Sequence, residues 1–394
     1  MKHGPAGSRG WIALLGISGG LSVVGMASLV PALPALAEAL HADFGVVQFV
    51  LSAYLFALGL AQPVQGLLCD RYGRRPVMLA GFAAFALAGV AAALAPSLAW
   101  LIAARLVQAL GVSVGTVAAR AMVRDTHEPE QAAVALSFIT AVMGLAPILS
   151  PIAGGYIVEA FGWRAIFWMH VAVALALLAW MCAAMPETRP GAQRAAGGDT
   201  LLRAYRVLFG DRRFLGYTLV YGCANGVIYA FLTVGAAFFE RSFGIGPARF
   251  GLLWAMLAAA FTSGAWCAGR SARRYGAQRV LWAGVVLTAL GAATFAVAAL
   301  LHQPPLGAYL AALIIVIGGN GIMSPLALAG AVSEHPGLAG MASGLSGSLA
   351  MMVTVSFAVA TGALYRGTPG SIAWLMGLGA AGVALAAFVS RARR

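Results

Sequence analysis

The sequence predicts an all-α membrane protein with twelve transmembrane helices in two pseudo-symmetric six-helix bundles. Of its 394 residues, 61% are hydrophobic and only 9% are charged, whereas soluble domains carry about 25% charged residues. The mean hydropathy of +0.88 agrees with this composition. Since one crossing needs about 20 apolar residues, the length allows about a dozen crossings. We expect no extramembrane domain between them, because only short charged turns separate the apolar stretches.

Gaps in charge and clusters of turn residues divide the chain into twelve predicted spans. The first six are predicted at 11–36, 46–68, 77–95, 99–121, 134–158 and 165–185. The second six are predicted at 214–238, 250–270, 279–300, 308–330, 340–362 and 371–389. Proline-containing breaks at 95–97 and 302–305 separate neighbouring spans. The predicted domains are an N-terminal bundle over 1–185, a cytoplasmic linker over 186–213 and a C-terminal bundle over 214–394.

The positions of the basic residues predict the orientation of the chain. With the N-terminus inside, twenty Lys and Arg residues fall on cytoplasmic segments and only four fall outside. Because cytoplasmic loops carry an excess of Lys and Arg, both termini are predicted to be cytoplasmic. The first apolar stretch, from Trp11 to about Leu36, is too long for a signal-peptide core and is read as a span.

Several other classes of protein are disfavoured by the same sequence. The net charge of +13 comes from short arginine blocks between apolar spans, which favours a lipid bilayer over nucleic acid as the partner. The four cysteines lack metal-site spacing and are interpreted as free thiols, so we predict no metal and no cofactor. An enzyme would need convergent catalytic groups, and a sensor would need a signalling domain; neither is evident. The prediction is therefore a non-enzyme that handles a small-molecule substrate.

Each half contains a similar charged turn. The first half carries Gly66-x3-Asp70-Arg71-Tyr72-Gly73, and the second carries Gly269-x3-Arg273-Arg274-Tyr275-Gly276. The second copy has an arginine in place of the acid. An internal repeat of this kind is typical of secondary transporters, whose substrate sites lie between the repeats near the membrane midplane.

Three blocks of the first half resemble motifs of the major facilitator superfamily, and specifically of its Bcr/CflA (bicyclomycin/chloramphenicol resistance) subfamily of drug:proton antiporters. They are the charged turn Gly66–Pro76, the segment Arg105–Gly111 and the pattern Gly144-x2-Pro147-x3-Pro151-x2-Gly154-Gly155. Segments 119–125, 162–167 and 186–189 extend the similarity. The resemblance implies a multi-pass monomer in the bacterial inner membrane that exports drugs or natural products by alternating access.

The resemblance also implies two groups of residues that control opening. The first is a cytoplasmic latch at the charged turn, with Gly66, Asp70, Arg71, Gly73, Arg74 and Arg120 as its candidate residues. The alternative is that these arginines only anchor the membrane interface, which would not require the acid or the glycines. The second is a close seam in span 5 formed by Gly144, Pro147, Pro151 and Gly154, for which ordinary packing of small residues is the alternative.

Arg105 is the one strongly basic residue predicted inside a span, with Gln108 one turn further on. A charge at the membrane centre costs about 2.5–3.5 kcal/mol on insertion scales and usually marks a function or a partner. We interpret both residues as candidates for substrate binding. Two alternatives stay open at this point, namely hydrogen bonds from Arg105 to backbone carbonyls and snorkelling of its side chain to the surface.

Span 7 carries Tyr217, Tyr221, Asn225, Tyr229 and Thr233 at four-residue spacing. This spacing keeps polar and aromatic groups on one helical face, which favours a cavity lining over interhelical hydrogen bonds. The candidate substrate-binding residues are therefore Arg105 and Gln108, Tyr221, Asn225 and Tyr229 of this stripe, Asn320 among the glycines of span 10, and Met26, Tyr54 and Trp254 as pocket walls. Flexible packing is the alternative for Asn320, and core packing is the alternative for the pocket walls.

The acidic residues depart from the subfamily pattern. The subfamily has an Asp four residues before Pro-Ala-Leu-Pro in span 1, and this chain has Ala27 there. A buried carboxylate can take up and release a proton, so exchange for protons is left open, with His170 or a peripheral Glu as a substitute carrier. We predict export of small amphiphilic molecules that are neutral or anionic, such as phenicol-like drugs or acidic natural products. An importer, an uncoupled facilitator and a non-transporting sensor are the alternatives.

Overall fold

The computed structural model describes residues 9–188, 205–301, 305–335 and 338–391. Within these ranges the chain forms helices and no strand, and twelve helical segments are long and apolar enough to cross a membrane. The predicted fold class is confirmed. Most of the predicted linker 186–213, and residues 302–304 of the predicted break at 302–305, lie outside the described residues.

Spans 1, 2 and 4 are each built from more than one helical piece. Span 1 consists of helix Arg9–Ala27, a 3₁₀ turn at Val30–Ala32 and helix Leu33–Ala39; the turn and the last helix each have a proline in their first two positions, where the missing N–H costs nothing. Span 2 consists of Phe44–Val47 and Phe49–Tyr72, and span 4 of Leu98–Val112 and Val114–Thr126. Spans 3, 5 and 6 are the helices Arg74–Ala93, Pro129–Phe161 and Trp163–Ala184.

The second six spans are single helices. Spans 7 to 12 are Arg212–Phe243, Pro247–Tyr275, Ala277–Leu300, Leu306–Ser333, Ala339–Leu364 and Gly370–Val389. Spans 7, 8 and 10 extend furthest beyond the predicted bounds, because intrahelical hydrogen bonds continue into the polar layers where apolar side chains are no longer needed. Residues 205–210 are also helical.

The repeated charged turns have the same backbone conformation in both halves. Gly73 separates spans 2 and 3 with φ of 100°, and Gly276 separates spans 8 and 9 with φ of 84°. Side chains other than glycine rarely adopt this region. The predicted turn over Gly66–Pro76 is therefore only one residue long, since Asp70 and Arg71 lie in the last turn of span 2 and Arg74 begins span 3.

Contacts divide the chain into two compact units. The first unit comprises Met1–Ala42, Phe49–Ala195 and Pro247–Gly251, and the second comprises Asp43–Gln48, Ala196–Gly246 and Leu252–Arg394. The core of the second unit is formed by apolar side chains of spans 7, 9, 10 and 12, for example Val220, Leu281, Met323 and Val383. Small residues bring these helices close together, as is usual where lipid offers no hydrophobic driving force between helices.

Candidate functional site

A network of charged residues surrounds Gly73 in the first unit. The Arg74 guanidinium donates to Asp70 Oδ1 at 2.6 Å and to Asp125 Oδ2 at 3.2 Å. Arg74 is buried, whereas the Asp70 side chain is 55% exposed. Asp125 lies at the end of span 4, so this one arginine ties the ends of spans 2 and 4 to the start of span 3. A charge-assisted pair of this kind is stronger than a neutral hydrogen bond.

Glu187 caps the same turn from the end of span 6. The backbone N–H groups of Arg74 and Arg75 donate to its carboxylate at 3.0 and 3.1 Å. These amides are the unpaired donors of the first turn of span 3, where the helix dipole also favours negative charge. A Cβ at Gly73 would lie 2.6 Å from Glu187 Oε2, so the glycine leaves the space that the carboxylate occupies.

Two other predicted latch residues, Gly66 and Arg120, make no hydrogen bond or ion pair with this network among the described residues. Gly66 lies within span 2, where a Cβ would approach Val117 no closer than 4.0 Å. The guanidinium of Arg71 lies 5.3 Å from the ring centroid of Tyr72. Arg120 is exposed in span 4. Within the described residues, the structure thus brings Asp70, Gly73 and Arg74 together and leaves Arg120 apart.

Arg105 is fully buried in the interior of the first unit. Its Nη1 donates to Gln108 Oε1 at 2.9 Å, and its Cζ lies 3.9 Å from the ring centroid of Tyr54. The Tyr54 hydroxyl donates to the Ser22 carbonyl at 2.9 Å. The snorkelling alternative is wrong, because the side chain is enclosed. Among the described residues Gln108 is the hydrogen-bond partner of Arg105, and no bond from the guanidinium to a backbone carbonyl of span 1 is observed.

Several buried donors in this region have no hydrogen-bond partner among the described residues. They are Arg105 Nε and Nη2 and Gln108 Nε2. No ion pair joins Arg105 to an Asp or Glu among the described residues. A buried polar group that lacks a partner costs about 1–3 kcal/mol. This cluster therefore has spare capacity to bind an acceptor.

His170 lies beside the same cluster and is fully buried. Its Nε2 pairs with Ser28 Oγ at 2.8 Å, and its ring lies 5.8 Å from that of Phe167. The Phe167 ring centroid also lies 5.9 Å from the guanidinium carbon of Arg105. Ala27, next to Ser28 and at the position of the expected acid, is buried as well. Met26 is buried in the same helix.

The span 5 motif forms close backbone contacts in the first unit. Gly154 lies against the Ser28 carbonyl of span 1, and a Cβ there would overlap that oxygen. Pro151 and Pro147 are inside the helix, and the Pro151 carbonyl lies against Gly251. Gly144, in contrast, has no neighbour within 4 Å of the position its Cβ would take. Close packing is thus observed at one end of the motif.

The predicted stripe of span 7 is half-buried in the second unit at Tyr221, Asn225 and Tyr229. The Asn225 amide donates to the Tyr221 carbonyl of its own helix at 2.9 Å. Tyr217 instead donates to Gln278 Oε1 of span 9 at 3.0 Å. One end of the stripe therefore makes the interhelical hydrogen bond that the alternative predicts, while the three candidates next to it keep partly accessible side chains.

Trp254 and Asn320 lie in packed surroundings in the second unit. The Trp254 ring is stacked on Phe231 with centroids 6.4 Å apart, within an aromatic cluster. Asn320 is fully buried and donates to the Val316 carbonyl at 3.1 Å, and its Oδ1 has no partner among the described residues. The neighbouring Gly321 contacts the Phe261 carbonyl of span 8, so the glycines permit close helix approach.

The start of span 7 and the end of span 10 are joined by one ion pair and one hydrogen bond between side chains in the second unit. Asp211 accepts from His335 Nε2 at 2.8 Å, and Arg213 donates to Glu334 at 3.2 Å. Burial tends to raise the pKa of Asp211, but hydrogen bonds from the Arg213 amide and His335 outweigh it and hold the pKa below its ordinary value of 3.8.

Sequence reasoning missed the partners in these clusters. Asp125 and Glu187 lie in segments that carry the family resemblance, yet nothing in their spacing indicates that both act on Arg74. Phe167 and Ser22 were missed because an apolar residue or a serine in a span carries no distinguishing signal. A search for acids at the ends of spans 4 and 6 could have found the first pair.

Comparisons with known proteins agree with this architecture. The family model described as Major Facilitator Superfamily matches residues 15–358. "Multidrug resistance protein D" of Escherichia coli (strain K12) is 32% identical over 349 residues, which cover 89% of this chain and 87% of that protein. "Bicyclomycin resistance protein homolog" of Haemophilus influenzae is 28% identical over 346 residues, with coverage of 87% and 86%.

A solved structure shows the same fold. A bacterial homolog of the human lysosomal transporter Spinster aligns with a TM-score of 0.78 over 96% of this chain and 95% of that chain, at 15% identity. The matched family model covers most of the twelve spans, and the two relatives named above carry drug-resistance names, in agreement with the family that the motifs predicted. The chain therefore belongs to the Major Facilitator Superfamily and is a multi-pass membrane transporter of the Bcr/CflA type.

Proposed function

We propose that this protein is a secondary active transporter that exports small amphiphilic molecules by alternating access. The observation that carries the proposal is the 32% identity, over 89% of the chain, to a protein named for multidrug resistance. Other relatives are named for resistance to bicyclomycin and chloramphenicol. The bacterial inner membrane, a monomeric state and cytoplasmic termini belong to the same proposal, with the charge distribution and the family as their support.

The buried arginine supports a preference for neutral or anionic substrates. Arg105 and Gln108 present unpaired donors in a part of the membrane where a positive charge is costly. A substrate with an acceptor or a carboxylate would satisfy these donors, whereas a lipophilic cation would be repelled. Tyr54 supplies an aromatic face in the same cluster, and Met26 lies in the same unit.

The half-buried stripe of span 7 supports a second group of contacts. Tyr221, Asn225 and Tyr229 combine aromatic surface with polar groups that remain partly accessible. Trp254 and Asn320 complete the proposed set of substrate contacts. Their side chains are packed against other residues of the second unit, so they have the weakest support. Tyrosine rings with one polar end suit amphiphilic drugs, since one side chain can offer both apolar area and a hydrogen bond.

Coupling to protons would need a titratable side chain that can carry the proton. No described Asp or Glu is buried, and Ala27 occupies the position of the expected acid. His170 is hydrogen-bonded to Ser28. Among the described His, Asp and Glu side chains it is the buried one, and histidine is a residue type that can carry a proton. Export in this protein would therefore need either His170 or a peripheral carboxylate for a proton step.

Transport into inverted membrane vesicles tests the proposal. Uptake of a neutral phenicol, an anionic aromatic acid and a cationic dye would be measured with and without an imposed pH gradient. We expect uptake of the neutral and anionic compounds and little uptake of the dye. Uptake of the dye alone would contradict the substrate preference. Uptake at the same rate with and without the pH gradient would exclude proton coupling. Absence of uptake for all three would contradict export of this class.

A further inference from the structure

The two copies of the charged turn differ in their charge balance. At constant spacing from the first glycine of each copy, Asp70 corresponds to Arg273 and Arg74 corresponds to Ala277. The second copy has therefore lost both members of the ion pair that stabilises the first. Its basic residues are Arg270, Arg273, Arg274 and Arg279, and we call this group the span 8–9 arginine cluster.

The span 8–9 arginine cluster has no acidic partner in the described part of the chain. In the first copy, Arg74 is buried and pairs with Asp70 and Asp125. In the second copy all four arginines are exposed, and none lies within 4.0 Å of a described carboxylate. Four exposed guanidinium groups within ten residues form a strongly positive surface that attracts anions.

Two exposed aromatic rings hold arginines of this cluster in place. The Arg270 guanidinium carbon lies 4.6 Å from the ring centroid of Trp266, and that of Arg274 lies 5.3 Å from the ring centroid of Tyr275. Trp266 is 64% exposed and Tyr275 is 53% exposed. Trp and Tyr are enriched where a membrane span meets the headgroup layer. The rings therefore mark this end of span 8 as the level of lipid headgroups.

The same face of span 8 continues as an exposed apolar surface. Ala259 and Trp266 are exposed, and at 100° per residue they lie on the helical face that carries Arg270. At 1.5 Å per residue Ala259 lies about 16 Å along the helix from Arg270, which is about the depth of one leaflet. A free phosphate ion would contact only the arginines. A phospholipid would contact the arginines with its headgroup and this apolar face with its acyl chains.

We propose that the span 8–9 arginine cluster binds the phosphate headgroup of an anionic phospholipid, in the leaflet predicted to be cytoplasmic. Guanidinium groups bind phosphate with paired, charge-assisted hydrogen bonds. Arginine clusters at the cytoplasmic end of a span are attracted to anionic lipid. The site does not depend on which solute the protein transports.

Native mass spectrometry of the full chain tests this proposal, with phosphatidylglycerol and phosphatidylcholine as probes. The wild type should retain phosphatidylglycerol in preference to phosphatidylcholine. The triple variant Arg270→Gln, Arg273→Gln, Arg274→Gln should weaken this retention, by roughly fivefold for each arginine removed. Arg249→Gln, which removes an exposed arginine at the other end of the same helix, should have no effect.

A second variant restores the charge pattern of the first copy. Arg273→Asp with Ala277→Arg recreates the Asp70 and Arg74 positions and should also reduce phosphatidylglycerol retention, while an unchanged thermal unfolding midpoint shows that the fold is kept. Equal retention by the wild type and both variants would overturn the proposal. Displacement of bound phosphatidylglycerol by millimolar glycerol 3-phosphate, as effective as displacement by added phosphatidylglycerol, would also overturn it. A free phosphate would then be the ligand.

Discussion

Arg105 lies over the ring of Tyr54, with its guanidinium carbon 3.9 Å from the ring centroid, and both side chains are fully buried. A cation over an aromatic face gains about 0.5–2 kcal/mol, most where water is excluded. The ring therefore stabilises a charge for which the described residues offer only the neutral Gln108 as a hydrogen-bond partner. This relationship explains how the first unit holds an arginine in the membrane interior without a carboxylate.

Replacement of Arg105 by Gln should separate anionic from neutral substrates. We expect uptake of an anionic aromatic acid into inverted vesicles to fall by at least about tenfold, since a charge-assisted hydrogen bond contributes about 1.5–3 kcal/mol. Uptake of a neutral phenicol should fall much less. Tyr54→Phe is the matched control, because it keeps the ring and removes only the hydrogen bond to the Ser22 carbonyl. Equal losses for both substrates would contradict the assigned role of the charge.

Removal of the Glu187 side chain should destabilise the start of span 3. Glu187→Ala leaves the Arg74 and Arg75 amides without their acceptor, and loss of a helix cap costs about 0.5–2 kcal/mol. Thermal unfolding in detergent would measure the loss. Glu128→Ala is the control, because Glu128 stands at the start of span 5 without a side-chain cap. Similar midpoints for the two variants would argue against the capping role.

A methyl group should be tolerated at one glycine of the span 5 motif and not at another. Gly154→Ala places a Cβ against the Ser28 carbonyl, whereas Gly144→Ala meets nothing within 4 Å. Overpacking costs about 1–3 kcal/mol, so Gly154→Ala should lower the unfolding midpoint. Gly144→Ala should leave the midpoint unchanged or raise it, since alanine favours the helix. The prediction fails if the two variants are equally stable.

The contact between Asp211 and His335 should depend on pH with a defined sign. The pKa of Asp211 is lowered in the folded protein, so its contribution to stability is complete above its ordinary value and is lost as the pH falls below it. The wild type should therefore unfold at a higher temperature than Asp211→Asn near neutral pH. This difference should shrink below the ordinary value of 3.8. A difference that persists in stronger acid would exclude the charge of Asp211 as its cause.

The sequence by itself determined the number of spans, the two-fold repeat and the family. Hydrophobic length and charge gaps are direct consequences of crossing a bilayer, so they can be read without knowledge of packing. The repeat of Gly73 and Gly276 is also visible in the sequence. Only glycine readily adopts the backbone conformation that each one-residue turn requires.

Only the tertiary structure decided which side chains meet. Arg74, Asp125 and Glu187 come from spans 3 and 4 and the end of span 6, and their convergence depends on how the helices pack. The same holds for Arg105, Tyr54 and Phe167. Within a span nearly every residue is apolar, so the sequence does not say which face of the helix meets a neighbouring helix and which meets lipid. That choice is made by close contacts between small residues, which depend on three-dimensional shape.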